Sequence, residues 1–484
     1  MTADIEANKA SAAEIDNVKT LADSAEHAEG NAFLVDKHGA VRRVPVPSNN
    51  PNDPLNFKPW EKWAVIVTCC WFCNYIILPV SLAYGRRPVF LVSSVILLAF
   101  TIGSAVSNSY EAHLATRIVQ GFATGASESL LPLMITEVTF LHERGKIFGL
   151  YWTAQTILGS CFALASSYEV AALGWRSYYW VFAIAIALGL ALTIFLYGVT
   201  RIIADDEAQE YFEQHGAETV SDDDNAPKLS YGQMLKPWSK PHPTPWKVMV
   251  GSWVHMLQSL TSPAILFAVL SSSAVLGLVV CISLTYDAVL QAYGWAAKDI
   301  GLINVASIIG GLLGSAYCTL LGEPFVLWMA KRNHGIHKPE HRLIVLVPMA
   351  ILGAAMLLVY GFGAERGMNG TGGSFWTPLL GWAFFQTAWI SVLIVTTTFA
   401  SEASPKHPGP ALVMVVGTKN IVSFGVAYAM TPMVEKGGYS WTFGVLTGVY
   451  GAIFLLGIPV YFLNPKWRQY MAKREQKKGI TTSD

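Results

Sequence analysis

Ionisable side chains are scarce in the long apolar stretches of this sequence, and those few are where chemistry would sit. Glu128 stands between Ser127 and Ser129 near the middle of an apolar run over 114–140. A charge in hydrocarbon costs a few kcal/mol or more, so an embedded carboxyl marks a candidate site by default. Burial disfavours its ionised form unless a cation pairs with it, and a group so placed can trade a proton for a cationic substrate. Arg117 lies eleven residues earlier. At about 100° per residue the two are about 20° apart in azimuth and about 16 Å apart along a helix axis, so both can face one cavity. A buried pair that merely holds two helices together fits the same spacing. Glu137, half a turn round, reads as structural, with Arg144 or Arg86 as its partner. In the second half of the chain, Lys419-Asn420 and Gln386 interrupt apolar runs. They can line a cavity or bond across helices, since membrane amides do both. The same two readings apply to Asn304 and to Asp287, which ends its run after Tyr286.

Enzyme chemistry has no visible machinery here. The sequence holds no phosphate-binding loop, Ser-His-Asp set, HExxH or paired aqueous carboxylates. Cys70-Trp-Phe-Cys73 has CxxC spacing, but without a second pair or a nearby His it reads as membrane-embedded thiols. No metal and no cofactor are expected. Lys+Arg and Asp+Glu both number 33, which gives no electrostatic reason for a nucleic-acid partner.

The elements that must hold these residues follow from composition. Of the 484 residues 52% are hydrophobic and only 14% charged, against about 25% charged in soluble chains. Such a chain cannot hide its apolar surface from water, and the bilayer is its solvent. The apolar runs reach the roughly 20 residues that a helix needs to cross hydrocarbon, and they lack the alternation of barrel strands. Spans are expected near 64–84, 89–108, 114–140, 147–167 and 177–199, then near 263–286, 300–322, 343–363, 376–400, 411–434 and 440–463. The expected organisation is a disordered tail and basic lead-in over 1–62, a bundle of five spans over 63–200, an interfacial linker over 201–262, a bundle of six spans over 263–464, and a basic tail over 465–484. In the linker, Trp238 and Trp246 among Lys236, Lys240 and prolines suit the headgroup level. Gly310, Gly311 and Gly314 have helix-contact spacing, as do Gly121 and Gly125.

Short loops rich in Lys and Arg lie on the cytoplasmic side. The tail with Lys466, Arg468, Lys473, Arg474, Lys477 and Lys478 is therefore placed inside. So are 331–342, 201–247, 142–146 and Arg86-Arg87, while Asn369-Gly-Thr371 falls outside as a glycosylation acceptor. One conflict remains. The lead-in is basic, like Arg86-Arg87, yet a single apolar run separates the two. Either the N-terminus is outside, or 64–84 is re-entrant, or one helix is absent; the abrupt Trp71-Phe-Cys-Asn-Tyr-Ile-Ile-Leu-Pro79 fits a junction left by an internal deletion of roughly 25–35 residues, one helix and a loop.

Several motifs, in order, resemble the major facilitator superfamily and its fungal branch. Tyr84-Gly-Arg-Arg-Pro-Val-Phe-Leu91 is similar to that family's loop between helices 2 and 3. Arg117-Ile-Val-Gln-Gly-Phe-Ala-Thr-Gly-Ala126 is similar to its helix 4 signature, whose arginine is associated with proton coupling. Asp53-Pro-Leu-Asn56 and Lys331-Arg-Asn with Pro339-Glu-His-Arg-Leu343 resemble further segments of fungal members. The resemblance covers about 52–465 and assigns 89–108 to helix 3, so helices 1 and 2 are compressed. It departs from the family at Leu82, where an Asp is usual, and in 147–167, where the glycine pattern of drug exporters is reduced to Gly159. The chain looks closer to organic-cation and polyamine carriers within a drug:proton antiporter-like branch.

The resemblance implies an all-helical membrane protein of two bundles, with eleven spans against twelve. It implies secondary, proton-coupled transport of a small cationic organic molecule by alternating access. Glu128 and Arg117 would carry the coupling; Gln386, Lys419, Asn420 and Asp287 would complete the site; Arg86 and Arg87 would form a cytoplasmic gate. The expected partners are a small-molecule substrate, protons and lipid, the expected state a monomer, and the expected location the plasma membrane. An uncoupled facilitator of a neutral solute, or a transport-inactive truncated or receptor-like protein, are the alternatives.

Overall fold

The structure is a computed structural model and describes residues 32–33, 78–139, 143–196, 244–333, 336–371, 373–404 and 408–481. The readings of the N-terminal tail, of most of the 71–79 junction and of the linker up to 243 lie outside these residues.

With no water to pair with, backbone groups in lipid must bond within their own segment, so long apolar runs become helices. In chain order these are α1 (Leu78–Tyr84), α2 (Arg86–Val106), α3 (Tyr110–Val138), α4 (Arg144–Leu173) and α5 (Trp175–Leu196). After the linker come α6 (Pro245–Ser259), α7 (Pro263–Ala292), α8 (Ile303–Tyr317), α9 (Glu323–Arg332), α10 (His341–Met368), α11 (Trp376–Ala403), α12 (Pro408–Leu455) and α13 (Gly457–Thr481). A 3-10 segment, Ala297–Leu302, leads into α8, and a π turn, Cys318–Gly322, joins α8 to α9. The rod 297–332 is thereby continuous. Two-residue strands β1 (Ala32–Phe33) and β2 (Ile336–His337) pair antiparallel.

Among the described residues nine helical stretches are long and apolar enough to cross a membrane. The span expected over 114–140 is α3, with 29 residues and more polar side chains. Of the run over 64–84, Leu78 onward is described, as α1. Two boundaries differ from the sequence reading. The charged segment 142–146 is mostly the first turn of α4. Within the linker a 15-residue helix, α6, starts with Pro245 after Thr244, where proline's missing N–H has no bond to lose. Its Trp246, Val250, Trp253, Val254 and Leu257 are all exposed, and their spacing puts them on one face.

The turn inside α12 needs glycine. Gly438 has φ 70°, a region closed to most side chains. Glu365 of α10 accepts the freed N–H groups of Tyr439 (2.6 Å) and Ser440 (3.2 Å), which caps the second half of α12.

Helices α2–α5 form one bundle and α7–α13 the other. Across the seam α4 lies along α8 and α11, while α3 lies along α12. Packing is unequal. In α11, 72% of its most apolar stretch is buried by the protein itself, but in α4 only 6%.

One end of the second bundle is stapled by buried charge. Arg342 of α10 bridges Glu323 of α9 (2.7 Å) and Glu402 of α11 (2.8 Å), and His337 Nε2 meets Glu402 at 3.0 Å. Glu340 accepts from Arg468 at 2.8 Å and from Asn464 at 2.6 Å, which ties α13 to the same end. At this level in the first bundle Arg86 and Arg87 are buried, and Arg87 Nη2 donates to the Ile194 carbonyl of α5 at 3.2 Å.

Candidate functional site

The seam between the bundles holds an open cavity of about 360 Å³. Glu128 reaches it from α3 and Lys419 from α12; α4 adds Trp152 and Gln155, α11 adds Gln386, Trp382 and Trp389, and α8 adds Asn304. The contributions repeat at helical spacing. On α4 the lining residues are 152, 155, 156, 159 and 160, and on α11 they are 382, 386, 389 and 393. Each set is one face of a rod.

At its heart is an ion pair between residues of opposite bundles. Lys419 Nζ lies 3.4 Å from Glu128 Oε2. Asn420 Nδ2 donates to the same oxygen at 3.3 Å. The ammonium also stands 4.5 Å from the centre of the Trp152 ring, a cation–π distance. Trp152 is fixed in turn, its Nε1 donating to Thr397 Oγ1 at 3.2 Å. Glu128 and Lys419 are 6% and 2% exposed. With so little solvent, each charge depends on the other.

Around the pair the walls are aromatic and amide. Trp382 Nε1 donates to Ser307 Oγ at 2.7 Å, and Asn304 Nδ2 donates to the Gly301 carbonyl at 3.1 Å. Gln386 Oε1 and Gln155 Oε1 are buried without a hydrogen-bond partner among the described residues. Both residues line the cavity, and turning either amide toward it would offer an acceptor to N–H or O–H groups of a guest.

Glu128, Lys419, Asn420 and Gln386 therefore converge, together with Asn304. Arg117 does not join them. Its guanidinium lies 5.2 Å over the Tyr179 ring of α5, and its Nη1 meets Gln120 Oε1 at 3.4 Å. Asp287 is exposed on α7 and does not line the cavity. Asn369 is exposed in the turn after α10, its amide donating to Glu365 at 2.9 Å. Arg144, proposed as a partner for Glu137, donates to the Thr136 carbonyl at 3.0 Å. Sequence reasoning missed Trp152, Gln155, Trp382 and Trp389. The polar stripe on α4 was the available signal, since Gln155, Thr156 and Ser160 recur on one helical face.

The Major Facilitator Superfamily model matches residues 63–418. An MFS-type transporter of Schizosaccharomyces pombe is 23% identical, over 93% of this chain and 92% of its own length. That alignment runs over 539 residues, more than the chain's 484, so the relative has residues with no counterpart here. The MFS transporter fsa7 of a Fusarium species is 26% identical over 80% of this chain and 71% of its own. Among solved structures, the human organic anion transporter MFSD10 superposes with a TM-score of 0.50 at 14% identity, covering 82% of this chain and 83% of that one.

Proposed function

The chain belongs to the major facilitator superfamily and is a multi-pass membrane transporter, and on that premise we propose that it exchanges a small cationic organic molecule for protons. The observation that carries the reading is the Glu128–Lys419 pair, which joins the two bundles inside a guest-sized cavity. A carboxylate there must be neutralised by something, and a bound cation does so. Rocking of the bundles about the pair would present the cavity to either side in turn. Trp152, Trp382 and Trp389 suit an organic cation, because indole faces attract positive charge. Arg117, remote from the cavity, would act on the resting position of α3 and α5 rather than on the guest, and Asp287 would act at the mouth. Arg86 and Arg87 would latch the end they occupy.

The surrounding proposals follow the charge pattern. Lys and Arg concentrate at one end of the bundles, so that end and the C-terminus are placed in the cytoplasm, with Asn369 outside. The plasma membrane is the proposed site, and a monomer the proposed unit. The surplus length of the fission yeast alignment supports a shortened chain, and the charge conflict favours helices 1 and 2 as the place of the loss. A place in the organic-cation and polyamine branch rests on the cavity chemistry.

Flux of a panel of amines into liposomes holding the purified protein, with and without a proton gradient, tests the reading. Gradient-driven uptake that Glu128→Gln abolishes, at unchanged expression, is the expected result. Full transport by that variant removes Glu128 from the mechanism, and flux indifferent to the gradient selects the uncoupled facilitator.

A further inference from the structure

An ion pair that only joins two helices does not require an indole. Yet Lys419 Nζ is held both by Glu128, at 3.4 Å, and by the Trp152 face, at 4.5 Å. A carboxylate beside an indole is the combination that binds organic ammonium and guanidinium ions. The protein's own ammonium thus sits where such an ion would sit. Two acceptors nearby are also unpaired. Gln386 is 5% exposed, and its amide oxygen, like that of Gln155, has no hydrogen-bond partner among the described residues. A buried acceptor left unpaired is costly, and both residues line the same cavity.

We infer that Lys419 is a built-in stand-in for the substrate: it holds the cation seat of the unloaded protein, and a guest ammonium or guanidinium displaces it. This rests on the reading of the cavity as a transport site. The guest takes the Glu128 carboxylate and the Trp152 face and gives N–H bonds to Gln386 and Gln155. Among the described residues Glu128 is the one carboxylate within ion-pair distance of Lys419. The helices packed on α12 carry other charged or titratable groups: His113 and Arg117 on α3, Asp287 on α7, His341, Arg342, Glu365 and Arg366 on α10, Glu402 on α11, Lys466 and Arg468 on α13, and Lys247 and His255 on α6. Arg342 and Glu402 are paired with each other. The proton exchanged is that of the displaced Lys419 ammonium. One N–H bond breaks, its electron pair stays on nitrogen, and the proton passes to water. The charge of the site is unchanged: a cation enters as a proton leaves, and Glu128 stays ionised throughout.

The test uses two probes of similar shape and opposite charge, benzylguanidinium and benzenesulfonate, added to the full-length protein in weakly buffered detergent. Benzylguanidinium keeps its charge, so a released proton comes from the protein. Saturable change in tryptophan fluorescence with release of about one proton per bound cation is expected, and none with benzenesulfonate. Lys419→Arg should bind about tenfold more weakly and release no proton, because a guanidinium does not deprotonate. Lys419→Met, with the seat vacant, should bind about tenfold more tightly, again without release. Lys419→Arg keeps the ion pair and so serves if Lys419→Met does not fold. Binding of benzenesulfonate with proton uptake overturns the inference, as does proton release by Lys419→Arg, or benzylguanidinium binding to neither the wild type nor Lys419→Met. Liposome flux without proton release on binding sinks this inference and leaves transport standing; proton release without flux does the reverse.

Discussion

No room is left for a side chain between Gly301 and Ser167: a β-carbon at 301 would overlap the Ser167 hydroxyl and come within 3.1 Å of the Leu164 carbonyl oxygen. Beside this contact the Tyr168 hydroxyl donates to Asp299 Oδ1 at 3.2 Å. At the far end of α4 a β-carbon on Gly145 would collide with the Glu323 carboxylate. Both ends of one helix of the first bundle therefore meet the rod 297–332 of the second through a glycine.

Gly301→Val should wedge the Ser167 end open. Overpacking of this kind costs about 1–3 kcal/mol in a packed interior, and here the bundles can separate to relieve it. The expected readout is faster thiol labelling of Ser167→Cys in the Gly301→Val background, with transport lost and thermal unfolding little changed. Unaltered labelling would show that the contact is not closed in the membrane.

Trp152→Leu should keep the ion pair but lose the indole face beneath Lys419. Cation–π contacts are worth about 0.5–2 kcal/mol, so binding of benzylguanidinium should weaken by roughly 2- to 30-fold. Fluorescence from the remaining tryptophans, or isothermal calorimetry, would measure it.

Arg342→Met should be far more damaging than its distance from the cavity suggests. It leaves Glu323 and Glu402 as buried carboxylates without their cation, a loss of about 3–5 kcal/mol in comparable pairs. A lower Tm in detergent and poor monodispersity are expected. Arg342→Lys should recover only part, because an ammonium cannot reach two carboxylates in a planar fork.

Glu365→Ala should destabilise the second half of α12 by about 1 kcal/mol, since it removes the acceptor for the Tyr439 and Ser440 N–H groups. Faster amide hydrogen exchange at the start of that half, with the rest of the bundle unaffected, would confirm the cap.

Nearly all of the helices were legible, because apolar length is written directly into a membrane sequence. Helix α6 was not. It is too short to span, follows a proline-rich stretch, and is held by neighbours distant in the chain. The cavity was half legible. Glu128, Lys419, Asn420 and Gln386 stand out as polar groups in apolar runs. That Glu128 and Lys419 touch across 291 positions is a fact of topology that no local pattern carries. The shared azimuth of Arg117 and Glu128 misled for a related reason: one face of α3 meets α5 and Tyr179 at the height of Arg117 but α12 at the height of Glu128.

The unequal packing of α4 and α11 bears on how the molecule would move. Opening free energies are lowest where few apolar contacts must be broken. Most side chains of α4 are only half-covered, at the seam and along the cavity, whereas α11 is clamped in a solid core. Displacing α4 would then disturb the protein interior less than displacing α11.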